Sequence, residues 1–248
     1  MNTPESEKIQ KILANLGFGS RRQIEEWIKQ GRVSVNGEVA TIGDRITLKD
    51  KVKLNNKVVN VGRNKNIIRQ VIIYNKPEGE ICSRHDPEGR TTVFESLPKI
   101  RQGRWVSIGR LDINSSGLLL FTNDGELANR LMKPNYQIER EYAVRVLGKV
   151  EDVMLKNLLN GVELEDGPAK FDSIKFAGGE GANTWYHVTL KEGRKREVRR
   201  LWESQELTVS RLIRVRYGDI TLPRNLRIGS AVQLDARDVK QLVESVGL

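Results

Sequence analysis

From residue 67 onward, the chain is a series of short apolar runs, each closed by turn residues. The run Val71-Ile72-Ile73-Tyr74 ends at Asn-Lys-Pro-Glu-Gly, and Leu118-Leu119-Leu120-Phe121 ends at Asn-Asp-Gly. Residues 142–146 alternate along a further strand, and the glycine-rich segment 178–181 is predicted to be a hairpin loop. Strands at hairpin spacing with few helices between them favour a mainly antiparallel sheet over a βαβ array. We therefore predict an α+β fold for residues 67–248.

The first 60 residues show a helical pattern instead. Apolar residues repeat at helical spacing between Ile9 and Leu16, and Gly17 is placed to end that helix. The sequence Ser-Arg-Arg-Gln at 20–23 has the form of a capping box and predicts a second helix that ends at Gly31. These signals predict a helical pair at the start of the chain.

Two hairpins are predicted to follow the helical pair. Residues 33–35 alternate as a strand, and the Asn-Gly pair at 36–37 is a strong two-residue turn signal. Residues 53–59 suggest a second short hairpin around Asn-Asn. The polar segment 62–66 is interpreted as a linker. We predict one small domain with its linker over residues 1–66 and a larger domain over residues 67–248.

The positive charge is concentrated in two segments. The chain carries 42 basic and 32 acidic side chains, a net charge of +10. Residues 1–66 hold 13 basic and 7 acidic side chains, and residues 191–216 hold 9 basic and 4 acidic side chains. These two segments account for the whole positive excess, so the rest of the chain is nearly neutral. This distribution favours two surfaces that contact a polyanion, although two ordinary solvated charged faces would give the same count.

Several classes of protein are excluded by what the chain lacks. One cysteine and two histidines are too few for a disulfide scaffold or a Cys/His zinc site, and neither a P-loop nor a dinucleotide fingerprint is present. Cys82 is interpreted as a small apolar residue near a turn. No apolar run approaches the roughly 18 residues of a membrane helix. The first five residues show no secretory signal. We expect a cytoplasmic protein without cofactor, metal or membrane partner.

The candidate catalytic stretch is residues 109–120. Asp112 lies in a turn rich in Gly, Ser and Asn, beside Arg110 and directly before a buried strand. From the residues alone, its carboxylate could simply accept hydrogen bonds within its own turn. Tyr142 on a later strand is a second candidate, although it could be a cross-strand core aromatic. The basic run 192–201 is a third, although its arginines could all be phosphate contacts.

The first segment resembles the small RNA-binding domain of the S-four type. The resemblance covers residues 6–60 and rests on the helix, the Ser-Arg-Arg helix and the sequence Gly-Arg-Val-x-Val-Asn-Gly. It implies that the second helix and the following turn face RNA phosphates. The basic side chains that would make these contacts are Arg21, Arg22, Lys29 and Arg32.

The second segment resembles the RNA pseudouridine synthases of the ribosomal type. The match runs from about Tyr74 to Asp219 and includes Asn-Lys-Pro at 75–77, residues 109–121, Tyr142 and residues 193–200. The resemblance implies a mainly antiparallel mixed-sheet catalytic domain that isomerises a uridine of large-subunit ribosomal RNA without a cofactor. A small-subunit target, or a non-catalytic RNA-binding protein of ribosome assembly, is the alternative.

The resemblance also implies a role for each site residue. Asp112 corresponds to the essential aspartate, which acts as a nucleophile or as a base. Tyr142 corresponds to the tyrosine that packs on the base, and Arg199 to the arginine that pairs with the aspartate. Arg110 is expected to fill the space left by a flipped base. The further expected RNA contacts are Arg194, Lys195, Arg196 and Arg200, in a monomer that binds ribosomal RNA.

Overall fold

The computed structural model describes residues 6–62 and 68–248. Within these ranges the chain forms two compact units. The predicted domain boundary between residues 66 and 67, and all of the predicted linker except Gly62, lie outside the described residues. Unit 1 consists of residues 6–62, 68–70, 99–106 and 123–125, and unit 2 consists of residues 71–98, 107–122 and 126–248.

Unit 1 contains the two predicted helices, and local sequence sets their ends. Helix α1 (Ile9–Asn15) stops at Gly17, whose φ is +91°. Helix α2 (Arg21–Lys29) begins where the Ser20 hydroxyl accepts a hydrogen bond from the N–H of Gln23 at 3.0 Å. Both predictions are confirmed. The apolar faces of the two helices contribute Ile9, Ile12, Leu13, Ile24 and Ile28 to one core.

The two hairpins of unit 1 also form where the sequence predicts them. Positive φ values at both residues of Asn36-Gly37 and of Asn55-Asn56 match the tight turns that suit the strand twist. These hairpins form a sheet of order β3-β2-β5-β6, and β1 pairs with β4. The strands are β1 (Glu7–Lys8), β2 (Val33–Val35), β3 (Glu38–Val39), β4 (Arg45–Ile46), β5 (Val52–Leu54) and β6 (Lys57–Val59).

Unit 2 is built on a mixed sheet. Its strands are β7 (Val71–Lys76), β8 (Val106–Ile108, of which Val106 is counted with unit 1), β9 (Ser116–Thr122), β10 (Arg140–Leu147), β13 (Ser173–Glu180), β14 (Asn183–Leu190), β15 (Thr208–Tyr217), β16 (Ile220–Thr221) and β17 (Ala231–Gln233). The order is β13-β14-β10-β15-β9-β7-β17, with β16 on β15 and β8 on β9. Strands β11 (Val162–Leu164) and β12 (Gly167–Ala169) form a separate hairpin. The predicted α+β class is confirmed.

Unit 2 also contains helices, of which the last follows the final strand of the sheet. They are α3 (Gly125–Met132, of which Gly125 is counted with unit 1), α4 (Asp152–Asn160), α5 (Glu197–Glu203) and α6 (Ala236–Glu244). The sequence analysis did not predict α4 or α6. In the part of the chain that the structure describes, no helix is long and apolar enough to span a membrane.

The predicted loop at 178–181 is displaced along the chain. Strand β13 continues through Gly178 and Gly179 to Glu180, so the turn lies at Gly181 and Ala182. A register shift after Phe176 accommodates the extra residue. The prediction was wrong in extent because glycines that accompany a bulge were assigned to the turn.

Strands β9 and β15 pair in parallel, whereas β7, β10, β13, β14, β16 and β17 make antiparallel pairs with their neighbours. Gly117 of β9 lies opposite Arg214 of β15 and has a φ of +96°. A Cβ atom on Gly117 would lie 2.4 Å from the Arg214 carbonyl oxygen. A side chain at this position would therefore separate the two strands.

We expect Gly117→Ala to lower the free energy of unfolding by about 3 kcal/mol, because strain at positive φ adds to a backbone clash. Gly178→Ala is the matched control: Gly178 is also a strand glycine, its φ is +111°, and open space surrounds its Cβ position. We expect about 1 kcal/mol for that variant. Urea denaturation measures both values, and equal losses would contradict the close-approach explanation.

Candidate active site

Lys76 holds the loop that carries Asp112. Its side chain is fully buried at the end of β7. The Nζ atom donates to the carbonyl oxygens of Pro77 at 2.9 Å, Asp112 at 3.2 Å and Ser115 at 2.8 Å. Burial lowers the pKa of the Lys76 ammonium, and nearby acidic groups, Asp112 among them, oppose that shift. One side chain thus binds both ends of the turn at 112–115.

The rest of the loop backbone is also bonded. The N–H of Ser115 donates to the Asp112 carbonyl at 3.0 Å, which closes the turn. The N–H of Gly79 donates to the Ile113 carbonyl at 2.8 Å. The N–H of Leu111 donates to Cys82 Sγ at 3.4 Å, and burial raises the pKa of that thiol. The loop is therefore fixed through its main chain.

Arg199 joins this loop to another part of unit 2. Its side chain is 8 % exposed on α5. Its Nη2 donates to the Asn114 carbonyl at 2.8 Å, and its Nη1 donates to the Val209 carbonyl at 2.7 Å. Burial lowers the pKa of the guanidinium, and the Asp112 carboxylate acts in the opposite direction. Arg199 therefore contributes a positive charge near Asp112 and a bridge to β15.

The Asp112 carboxylate itself is exposed. Among residues 6–62 and 68–248, it has neither a hydrogen bond nor an ion pair within 4.0 Å. The direct pair with Arg199 expected from the resemblance is therefore not formed here. The physical reason is that both terminal nitrogens of Arg199 are bound by backbone carbonyls. The arginine holds the Asp112 loop rather than the Asp112 side chain.

Tyr142 lies in the same row of the sheet as Lys76. The register places Tyr142 opposite Arg214, Arg214 opposite Gly117, and Gly117 opposite Lys76. Adjacent strands lie about 4.8 Å apart, so Tyr142 and Gly117 are separated by roughly 10 Å across the sheet. The Tyr142 side chain is 8 % exposed. The sheet thus brings Tyr142 to the strands that carry the Asp112 loop.

Two site residues were missed in the sequence analysis: Lys76 and Arg214. Arg214 is 2 % exposed, donates from Nε to the Leu118 carbonyl at 2.7 Å, and stacks on the ring of Tyr217 at 5.2 Å. Its Nη2 is buried without a hydrogen-bond partner in the described part of the chain. The available signal for Lys76 was a charged residue two positions after a run of buried apolar residues, whereas Arg214 is one of three arginines in β15 and the sequence does not distinguish it from the other two.

Most of the basic run is engaged within the protein. Arg200 donates to both carboxylate oxygens of Asp166, at 2.7 and 2.9 Å, and this contact lowers the pKa of Asp166. Arg194 also binds Asp166, at 3.2 Å. Arg196 pairs with Glu203 at 2.8 Å. These three arginines, which were expected to contact RNA, are therefore paired with acidic side chains of the protein itself, and their role in RNA binding stays a prediction.

Exposed basic side chains remain in both units. In unit 2, Lys195 and Arg110 are exposed, and neither has a hydrogen bond or ion pair within the described ranges. In unit 1, the same holds for Arg21 and Arg22.

The other two predicted RNA contacts of unit 1 have partners. Lys29 pairs with Glu26 at 2.7 Å. Arg32 donates to Asn55 at 2.7 Å and lies over the Trp27 ring at 5.0 Å. All four basic side chains of this group are exposed, so each remains accessible to a phosphate.

Residues 70–204 match the family model of the RNA pseudouridylate synthases. The chain belongs to this family. Residues 7–52 match the model of the S4 domain, in agreement with the resemblance found in the sequence. A solved pseudouridylate synthase is 28 % identical, with a TM-score of 0.66 and coverage of 95 % of this chain and 99 % of that one.

Two relatives resemble the present chain along nearly its whole length. Ribosomal large subunit pseudouridine synthase B of Pseudomonas aeruginosa is 56 % identical over 100 % of this chain. The protein of the same name from Escherichia coli is 57 % identical over 98 % of this chain. The chain spans 64 % of the length of the Pseudomonas relative and 84 % of the Escherichia relative.

We expect Lys76→Met to lower the free energy of unfolding by about 2 kcal/mol, because buried carbonyls lose their donor. We also expect kcat to fall more than KM rises, because the Asp112 loop loses its support. Urea denaturation and steady-state kinetics measure the two effects. Lys156→Met, at an exposed lysine of α4, is the control. A variant as active as the original protein would contradict the support by Lys76.

Arg199→Lys keeps the charge and removes the fork that bridges two carbonyls. We expect kcat to fall about a hundredfold, since misplacement of a reacting group by about 1 Å has effects of this size. Arg237→Lys, at an exposed arginine of α6, is the matched control. Full activity of Arg199→Lys would show that charge alone is sufficient at this position.

Proposed function

We propose that this synthase converts a uridine of large-subunit (23S) ribosomal RNA to pseudouridine. In this reaction the bond from N1 of uracil to C1′ of ribose breaks, the uracil rotates, and C5 forms a bond to C1′. A proton leaves C5 and N1 gains one, so the product is an isomer of the substrate. The observation that carries the proposal is a rigid loop that presents the exposed carboxylate of Asp112.

In this proposal Asp112 attacks the nucleotide or acts as a base toward its sugar. Both roles need an ionised carboxylate at a fixed place. The bonds of Lys76 and Arg199 fix the backbone of the loop that carries this carboxylate. The free carboxylate is then available to the substrate rather than to a protein partner.

Tyr142 and Arg110 act on the base and on the space it leaves. We infer that the Tyr142 ring packs against the flipped uracil and assists removal of the C5 proton. Arg110 is exposed next to Asp112 in sequence, and its side chain is long enough to enter the vacated stack. Taking a base out of its stack costs a few kcal/mol, and such an insertion offsets part of that cost.

RNA binding is assigned to the exposed basic residues. In unit 1 these are Arg21, Arg22, Lys29 and Arg32. In unit 2, Lys195 is the free member of the basic run, and Arg194, Arg196 and Arg200 would bind phosphate only in exchange for their acidic partners. This predicts that Lys195 contributes more to the salt dependence of binding than Arg200 does.

The large-subunit target is supported by the names of the relatives that are 56–57 % identical. A small-subunit target or a non-catalytic assembly role is not favoured by those names. We further propose that the protein acts in the cytoplasm and as a monomer.

We expect Asp112→Asn to lower kcat by at least about a thousandfold, because the amide can neither attack nor accept a proton. RNA affinity should be unchanged. Chemical mapping of pseudouridine in ribosomal RNA from cells lacking the gene, complemented with each variant, measures the effect. Asp172→Asn, at another exposed aspartate, is the control. A deletion strain that keeps every pseudouridine would contradict the function, and modification restored by Asp112→Asn would contradict the role of this residue.

A further inference from the structure

Unit 1 contains an open cavity beside the end of α1, and none of the predicted RNA contacts lines it. Its volume is about 130 Å³. Pockets for drug-sized ligands measure roughly 300–1,000 Å³, so this cavity suits a single flat group rather than a whole ligand of that size. The lining residues are Leu16, Phe18, Val59, Asn60, Arg101, Gln102 and Gly103.

Phe18 is exposed in this cavity although its backbone is fixed. The N–H of Gly17 donates to the Ala14 carbonyl at 3.0 Å, and the N–H of Phe18 donates to the Leu13 carbonyl at 3.1 Å. These two bonds form the Schellman motif that ends α1. The Phe18 side chain is nevertheless 44 % exposed. A large aromatic ring is thus held at the surface by a main chain that is already ordered.

The opposite wall of the cavity is fixed against the same turn. A Cβ atom on Gly17 would lie 2.5 Å from the carbonyl oxygen of Gly103, so the two backbones are in direct contact. The cavity is therefore a preformed feature of unit 1.

The polar rim of the cavity has unused hydrogen-bonding groups. Asn60, Arg101 and Gln102 are exposed, and in the described part of the chain their side chains have neither a hydrogen bond nor an ion pair. Amide side chains offer a donor and an acceptor, and a guanidinium offers five donors. An aromatic face with such groups at its edge matches the stacking face and the polar edge of a nucleobase.

Charge selects the class of ligand. The described residues of unit 1 hold 15 basic and 7 acidic side chains, a net charge of +8. Such a surface attracts a polyanion. We propose that this cavity binds an unpaired base of the RNA substrate, stacked on Phe18 with its edge toward Asn60, Arg101 and Gln102. The proposal rests on the proposed function, which makes RNA the substrate.

Phe18→Ala should raise the Kd for a short single-stranded oligouridine about tenfold, a loss of about 1.4 kcal/mol. The slope of log Kd against log salt should not change, because the ring carries no charge. Phe18→Trp keeps a stacking face and should stay within about twofold of the original Kd. Val58→Ala shortens an apolar side chain on β6 that is 73 % exposed and does not line the cavity. This control variant should leave Kd unchanged. Fluorescence anisotropy with the full chain measures all four proteins.

Binding to a fully paired RNA duplex tests whether Phe18 contacts an unpaired base or the RNA backbone. We expect Phe18→Ala to bind the duplex as the original protein does, because a paired base cannot enter the cavity. An equal penalty on both RNAs, or unchanged Kd with a loss of thermal stability, would overturn the proposal. Pseudouridine formation by the original protein is measured separately, so a failure of the proposed function is distinguished from a failure of the cavity.

Discussion

The site depends on one buried ammonium. Lys76 is fully buried, and its Nζ binds three carbonyl oxygens, two of which are the ends of the turn that carries Asp112. A lysine can meet three acceptors because its ammonium has three donors. Its burial is expensive and the carbonyls offset that cost, so the lysine and the loop depend on each other for their conformations.

Arg199 supports the backbone of the Asp112 loop and leaves the Asp112 carboxylate free. A carboxylate paired directly with Arg199 would need to give up that partner before reacting. Here Arg199 binds Asn114 and Val209 through their carbonyls, and the Asp112 side chain stays available. Arg200 shows the opposite case, because its side chain is already paired. Both of its terminal nitrogens donate to Asp166, so Arg200 must give up that carboxylate before it can bind a phosphate.

The sequence alone was sufficient to predict features that form between residues close together in the chain. The cap at Ser20 and the turns at Asn36-Gly37 and Asn55-Asn56 each form within a few residues, and all were predicted. Asp112, Tyr142 and Arg199 were selected by resemblance, and their roles stay predictions. The partners of Arg199 and Arg200 could not be predicted, because their bonds join residues 85 and 34 positions apart. Periodicity carries no information on contacts of that range.

The parallel pairing of β9 and β15 has a consequence for biosynthesis. The Asp112 loop precedes β9, whereas Arg199 and Val209 belong to the segment that leads into and begins β15. A chain still being synthesised can pair β7 with β9 early, but the Asn114 carbonyl lacks its Arg199 donor until α5 and β15 have emerged. Contacts over such separations form late because loop closure costs entropy first. A nascent chain therefore acquires its complete site only after α5 and β15 have been synthesised.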